Sequence, residues 1–165
     1  MRIDPQQLAD RESIRECVLR YSRGVDRLDA EQMKSAYWPE ATDDHGRFVG
    51  NGHEFADRVV GTHDRWAASM HCNYNHSIEF DDATHARGEI YNVTYLLAKD
   101  GGPWSVWLGR YLDRYECRDG DWRIIHRSCV HEGTTTIEGA PMAGDMANFR
   151  TGDVDRPRGD TPLGT

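Results

Sequence analysis

The chain has 165 residues, a formal charge of −8 and 38% hydrophobic residues, with five Trp, seven Tyr and four Phe among them. That length suits a single domain with its own core, and the excess of acids excludes a surface built to grip nucleic-acid phosphates. No stretch approaches the roughly 20 apolar residues that a membrane span needs.

The N-terminus, Met1-Arg-Ile-Asp-Pro5, lacks the apolar centre of a signal peptide. Cys17, Cys72, Cys117 and Cys129 form no C-x-x-C pair, so free thiols in a cytoplasmic protein are expected. Residues 5–28 read as a helix: Pro5 opens it, and Leu8, Ile14, Val18, Tyr21, Val25 and Leu28 recur at helical spacing. Gly24 gains an exposed helix nothing, so something is expected to pack closely against it. Asp29-Ala-Glu-Gln32 has the form of an N-cap for a short second helix, which Pro39 is expected to stop. Glu40 to Gly52 has the composition of strand and turn, around the polar knot Asp43-Asp44-His45-Gly46. A third helix is expected from Phe55 through Val59, His63 and Trp66 to Met70, one apolar stripe containing a histidine.

From Asn75 the period changes to two. Ile78 and Phe80 open a first long strand, and Glu89–Ala98, Trp104–Cys117 and Trp122–His131 follow as strands separated by Asp/Gly turns. Helices first and a hairpin-linked sheet afterwards is an α+β order. A long antiparallel sheet with helices on one face leaves a concave pocket between the layers. Tyr95 and Tyr111, on central strands, are expected to line it or to pack in the core. Residues 1–138 read as the domain; 139–165, rich in Gly, Asp, Arg, Pro and Thr, read as a tail that is flexible or laid on a neighbouring subunit. The strand aromatics Trp104, Trp107, Tyr111 and Tyr115 exceed what three helices can cover, so a homodimer or homotrimer is expected.

Three phrases, Tyr21-Ser-Arg-Gly-Val-Asp26, Trp38-Pro-Glu-Ala41 and Asp113-Arg-Tyr-Glu-Cys-Arg-Asp-Gly-Asp-Trp-Arg123, make residues 6–137 resemble the SnoaL-like proteins. These belong to the cone-shaped α+β superfamily of scytalone dehydratase, ketosteroid isomerase and nuclear transport factor two. The pattern is most similar to hexachlorocyclohexane dehydrochlorinase and the bile-acid dehydratases. The resemblance implies a cone of N-terminal helices on a strongly curved, mainly antiparallel sheet. It also implies a site in which Asp26 supports the base His71, with Arg127 and Tyr21 completing it. The dehalogenating relative carries lysine where this chain has Tyr21, which points to water rather than halide as the leaving group. Around that site His45, Asn75, Trp66, Tyr95 and Tyr111 are expected to contact the substrate.

Each of these residues also has a plainer reading. His71 can be a half-buried histidine at a helix–strand junction, Asp26 a helix-end residue, and Tyr21 core packing with a satisfied hydroxyl. Arg127 shares strand parity with Ile125, Cys129 and His131, and on such a face it needs a partner such as Asp113 or Glu89. Tyr21 and Asp26 lie about 140° apart around an ideal helix, so both reach one point only if the pocket wraps the helix end. Eight histidines raise the question of metal, but no H-x-H or H-E-x-x-H spacing occurs, and no G-x-G-x-x-G or P-loop suggests a nucleotide. The expected activity is a cofactor-free, metal-free lyase of dehydratase type, in aromatic-compound catabolism, acting on a small apolar ring compound. Its alternatives are a deformylating carbon–carbon lyase, an isomerase on the same site, and a non-catalytic binding or dimerisation module.

Overall fold

The computed structural model describes residues 4–100 and 102–139. Helix α1 (Pro5–Arg27) starts where the Asp4 side chain accepts from the Gln6 N–H, with proline in its first turn. Its buried face includes Ile14, Val18, Tyr21 and Val25 of the stripe read from the sequence, with Cys17 beside them, whereas Leu8 of that stripe is exposed. Burial of such side chains contributes about 1.5–3 kcal/mol each. Leu28 then turns left-handed (φ 54°), and the Asp29 N–H donates to the Gly24 carbonyl. Helix α2 (Ala30–Lys34) is capped by Asp29, which accepts from Gln32 N–H. A Cβ on Gly24 would stand 2.6 Å from the Met33 backbone nitrogen, so the expected close neighbour of Gly24 is α2 itself.

Two boundaries differ from expectation. Pro39 does not stop α2, which ends at Lys34; it lies inside strand β1 (Tyr37–Asp44). After β2 (Val49–Asn51), helix α3 (Gly52–His63) is capped by the Asn51 side chain and stops seven residues short of Met70. Trp66 and Met70 belong instead to β3 (Trp66–Phe80), whose residues pair with β4 (His85–Ala98) from Trp66↔Ala98 onward. A four-residue spacing fits a helix stripe, but the ladder offered by β4 overrides local preference here. β5 (Trp104–Arg118) and β6 (Asp121–Ile137) complete the hairpins and extend past the expected ends.

The six strands form one sheet in the order β2-β1-β6-β5-β4-β3, antiparallel throughout except β1 beside β6. The result is the expected α+β architecture, N-terminal helices on a curved sheet. Register shifts at Asn73/His76, Leu108/Gly109 and Arg114/Tyr115 are bulges, which bend and twist strands. The core lies between helices and sheet, around Tyr21, Tyr37, Ile90, Tyr115, Trp122 and Ile124.

Tyr111 and Tyr115 are buried on the helix side, and Trp107 faces the same way. Three of the four strand aromatics thus turn inward, while Trp104 has the opposite strand parity and is half-buried. The opposite face exposes Met70, Tyr74, Tyr91, Leu108 and Leu112. It also carries a depression of about 420 Å³ lined by Glu79, Arg87, Glu89, Arg114 and His126, remote from the histidines under the helices. Gly139 is the last described residue, so the expected tail lies otherwise outside the described residues.

Candidate active site

The last turn of α1 lies over β3 and brings Asp26 to His71. One carboxylate oxygen stands 2.6 Å from His71 Nδ1, and the other accepts the His71 backbone N–H at 2.9 Å. Both oxygens hold this one residue, which fixes the ring as well as its tautomer. With Nδ1 bonded to the carboxylate, Nε2 is the nitrogen left for proton capture. The side chains are 8% and 14% exposed, dry enough to strengthen the pair and open enough to meet a ligand. Beneath them a polar ladder locks β3 to β4 and α1: Thr94 donates to Asn92, Asn92 to Asn73, and Asn73 to Ser22.

His71 lines a cavity of about 300 Å³ between helices and sheet. Val25, Phe55, Val59 and Leu96 supply apolar walls; Tyr21, His45, His63, Thr94, Tyr111, Cys129 and His131 supply polar atoms. Trp107 and Tyr111 stack nearly parallel, ring centres 6.4 Å apart, as one flat wall. Tyr21 and Asp26 do not converge on one point. Tyr21 faces the cavity, and Asp26 stands behind His71, so the histidine spans the angle that the helix leaves between them.

His63 has no carboxylate. Its ring centre is 6.4 Å from that of His71, and among the described residues its buried Nδ1 has no partner at hydrogen-bond geometry, the Val59 carbonyl being its backbone acceptor by electrostatics. Burial, then the neighbouring His71 and Arg65, push its pKa down to about 4, so it is neutral at ordinary pH. Burial pushes the Cys129 thiol up to about 12, which leaves it un-ionised. His45 follows β1 and is held from behind: its Nδ1 meets Asp43, a buried carboxylate whose other oxygen accepts the Tyr37 hydroxyl at 2.6 Å. Its ring stacks on Phe55, and its Nε2 lies 3.4 Å from the Tyr21 hydroxyl.

Arg127 lies below this cavity rather than in its lining. It is completely buried, and Asp113 takes it in a fork: Nε to one oxygen at 2.7 Å, Nη2 to the other at 2.6 Å. The guanidinium lies in the corner formed by the edge-to-face rings of Tyr21 and Tyr111, 4.1 and 4.2 Å from their centres. Burial alone would lower its pKa, but the adjoining Asp113 carboxylate outweighs that and holds it well above the usual value. The bulge opposite Arg114/Tyr115 changes the parity expected for β6: the inward series is Ile124, Arg127 and Cys129, without Ile125.

Of the residues expected from the sequence, Tyr21, His45, His71 and Tyr111 line the cavity, with Asp26 behind and Arg127 beneath. Three do not reach it. Tyr95 pairs with Met70 and Val106 on the outer side of the sheet. Asn75 is exposed in the β3 bulge, and Trp66 sits at the start of β3 under Arg65. His63, Thr94, Trp107, Cys129 and His131 were not singled out as site residues. Trp107 was within reach, because it shares strand parity with Tyr111 four residues on. Among the described residues no three His, Cys, Asp or Glu side chains converge on a metal position, and no helix is long and apolar enough to cross a membrane.

Residues 6–128 match the SnoaL-like domain. The chain belongs to the SnoaL-like family. This SnoaL-like protein has the fold of several solved structures. A hexachlorocyclohexane dehydrochlorinase, LinA-type3 from Novosphingobium barchaimii LL02, is 23% identical with a TM-score of 0.75, covering 86% of this chain and 99% of that one. A putative scytalone dehydratase from Novosphingobium aromaticivorans is 18% identical (TM-score 0.72; 84% and 98% covered). Rv3472, a Mycobacterium tuberculosis protein of unknown function, is 22% identical (TM-score 0.69; 78% and 76% covered). At these identities the likeness is one of fold.

Proposed function

We propose that this SnoaL-like protein is a cofactor-independent lyase that eliminates water from a small ring compound, with His71 as the base. The observation that carries this reading is the double hydrogen bond from His71 to Asp26. A carboxylate on Nδ1 leaves Nε2 free to take a proton and stabilises the imidazolium that results. A cavity of about 300 Å³ is at the small end for ligand sites and suits a one- or two-ring molecule against the Trp107–Tyr111 wall. That two structural neighbours are named for elimination enzymes, a dehydrochlorinase and a dehydratase, supports the same reaction class.

In this mechanism a C–H beside an activating carbonyl faces His71 Nε2. Proton removal leaves the electron pair to form the double bond as the C–O bond breaks. The Tyr21 hydroxyl donates a hydrogen bond to the departing oxygen. Arg127 touches no substrate; its charge beneath the rings of Tyr21 and Tyr111 favours negative charge building up on their cavity side. A panel of small cyclic β-hydroxy ketones tests the reading, with enone formation followed by ultraviolet absorbance. Turnover by the wild-type chain and its loss in a folded His71→Ala variant is the expected result; equal rates in the two sink the mechanism.

We further propose that the exposed outer sheet face, with Met70, Tyr74 and Tyr91, packs on a second copy of the chain. Light scattering at micromolar concentration should give a multiple of 18.9 kDa, and a monomer mass argues against it.

A further inference from the structure

The cavity holds a second imidazole–carboxylate pair that the base mechanism does not use. His71 and Asp26 stand at one end of the sheet, on and above its edge strand β3. His45 and Asp43 come from the other end, where β1 gives way to the turn before β2. The curvature of the sheet brings both imidazoles to one cavity. Each is bound at Nδ1 by a carboxylate, which leaves each Nε2 for other partners.

We propose that His45, held by Asp43, is the general acid that protonates the leaving oxygen, and hence that the substrates are those whose leaving group is a hydroxyl or alkoxide. This rests on the reading of His71 as the base. The alternative proton donors in the site are poorly placed for the task. Arg127 is locked in its fork with Asp113 beneath the rings. Tyr21 touches the cavity, but burial raises its phenol above the usual value, so it cannot give up a proton without receiving one in the same step. Its nearest source is His45 Nε2, 3.4 Å away, a separation that can tighten when a ligand fills the site. Asp43 is suited to hold a cationic His45: it is fully buried, and its second oxygen is already satisfied by Tyr37. The groups packed around His45 are Tyr21 from α1, Asp43 from β1, Phe55 from α3 and Tyr111 from β5, with Arg127 of β6 behind both tyrosine rings. Asp43 is the anion in direct contact.

The step balances. His71 Nε2 gains the proton from carbon, the C–H pair becomes the π bond, and the C–O pair leaves with oxygen. That oxygen takes the proton of His45 Nε2, directly or through the Tyr21 hydroxyl, and departs as water or alcohol. His71 ends as imidazolium and His45 neutral; exchange with solvent restores both.

The test is made on the full-length chain. It uses two probes of different leaving group, a nitro-substituted benzisoxazole and the unsubstituted one. In both a base removes the C–H proton and the N–O bond breaks to a phenolate; the nitro compound departs unaided, and the other gains from an acid. His45→Gln should lose at least about tenfold more rate on the unsubstituted probe than on the nitro one. Equal losses on both, with His71→Ala inactive, overturn the acid role and leave the base reading standing. A folded His71→Ala chain that stays active overturns the base reading and the acid role that rests on it. A wild-type chain that turns over neither probe overturns both.

Discussion

Asp26 and Asp113 are both carboxylates that hold one residue through two hydrogen bonds, ring and backbone of His71 in one case and the guanidinium of Arg127 in the other, yet their surroundings give them opposite uses. Asp113 meets a permanent cation in a space from which water is excluded, and neither member of the Arg127 pair has any exposed surface. A pair of that kind is costly to break and has no proton to trade. Asp26 meets an imidazole at the cavity edge, where both side chains keep some exposure and the ring can take up and give back a proton. Burial and partner chemistry, rather than the carboxylate, decide which pair holds the fold and which is fit for proton transfer.

Breaking the buried pair should have the largest effect on stability. Asp113→Asn should lower unfolding free energy by about 3–5 kcal/mol in urea titrations, because it leaves the Arg127 charge without its anion. Arg127→Met combined with Asp113→Leu should recover much of that loss. A single variant as stable as wild type would show that the pair is not the structural one.

His63 sharpens the contrast through pH. Its folded pKa is about 4 against about 6.5 in the unfolded chain. Between those values the unfolded chain binds a proton that the folded one refuses, so stability falls as pH drops from about 6.5 to 4, by on the order of 2–3 kcal/mol for this group. His76, also pushed down to about 4 by burial, contributes with the same sign. His63→Phe should flatten part of the slope between pH 7 and 4.5, measured by chemical denaturation; an unchanged slope contradicts the assignment.

Asp26→Asn should move activity and leave stability within about 1 kcal/mol, the reverse of Asp113→Asn. The amide loses the charge that supports the imidazolium, and a loss of about 10- to 100-fold in kcat is expected. An equal fall in stability would place Asp26 with the structural pairs. Tyr21→Phe should be mildest: it removes one hydroxyl and keeps the ring against Arg127. Its rate loss should be larger for a hydroxyl leaving group than for the nitro-substituted probe.

The helices and hairpins were legible because their signals are local: the Pro5 start, the 14-18-21-25 spacing of α1, and the Asp/Gly turns between strands. The α3–β3 boundary was not, because Trp66 and Met70 continue the helical spacing and only the β4 ladder decides otherwise. Tyr95 was misplaced for a related reason. Alternation within one strand is readable, but the register that sets Thr94, not Tyr95, opposite Trp107 is a property of the pair of strands. The bulge that removes Ile125 from the Arg127 face was equally invisible. Asp26, His71 and Tyr21 came from the resemblance of short phrases, whereas the approach of His45 to Tyr21 depends on sheet curvature and could not be read from either segment alone.

The central claim is that His71 is the base, and a probe whose leaving group departs unaided tests it most directly. The rate of elimination of the nitro-substituted benzisoxazole should be compared between wild type and a His71→Ala variant whose fold is checked by circular dichroism. The account predicts a drop of about 10²- to 10⁴-fold in the variant. A folded His71→Ala chain that retains the wild-type rate would contradict it.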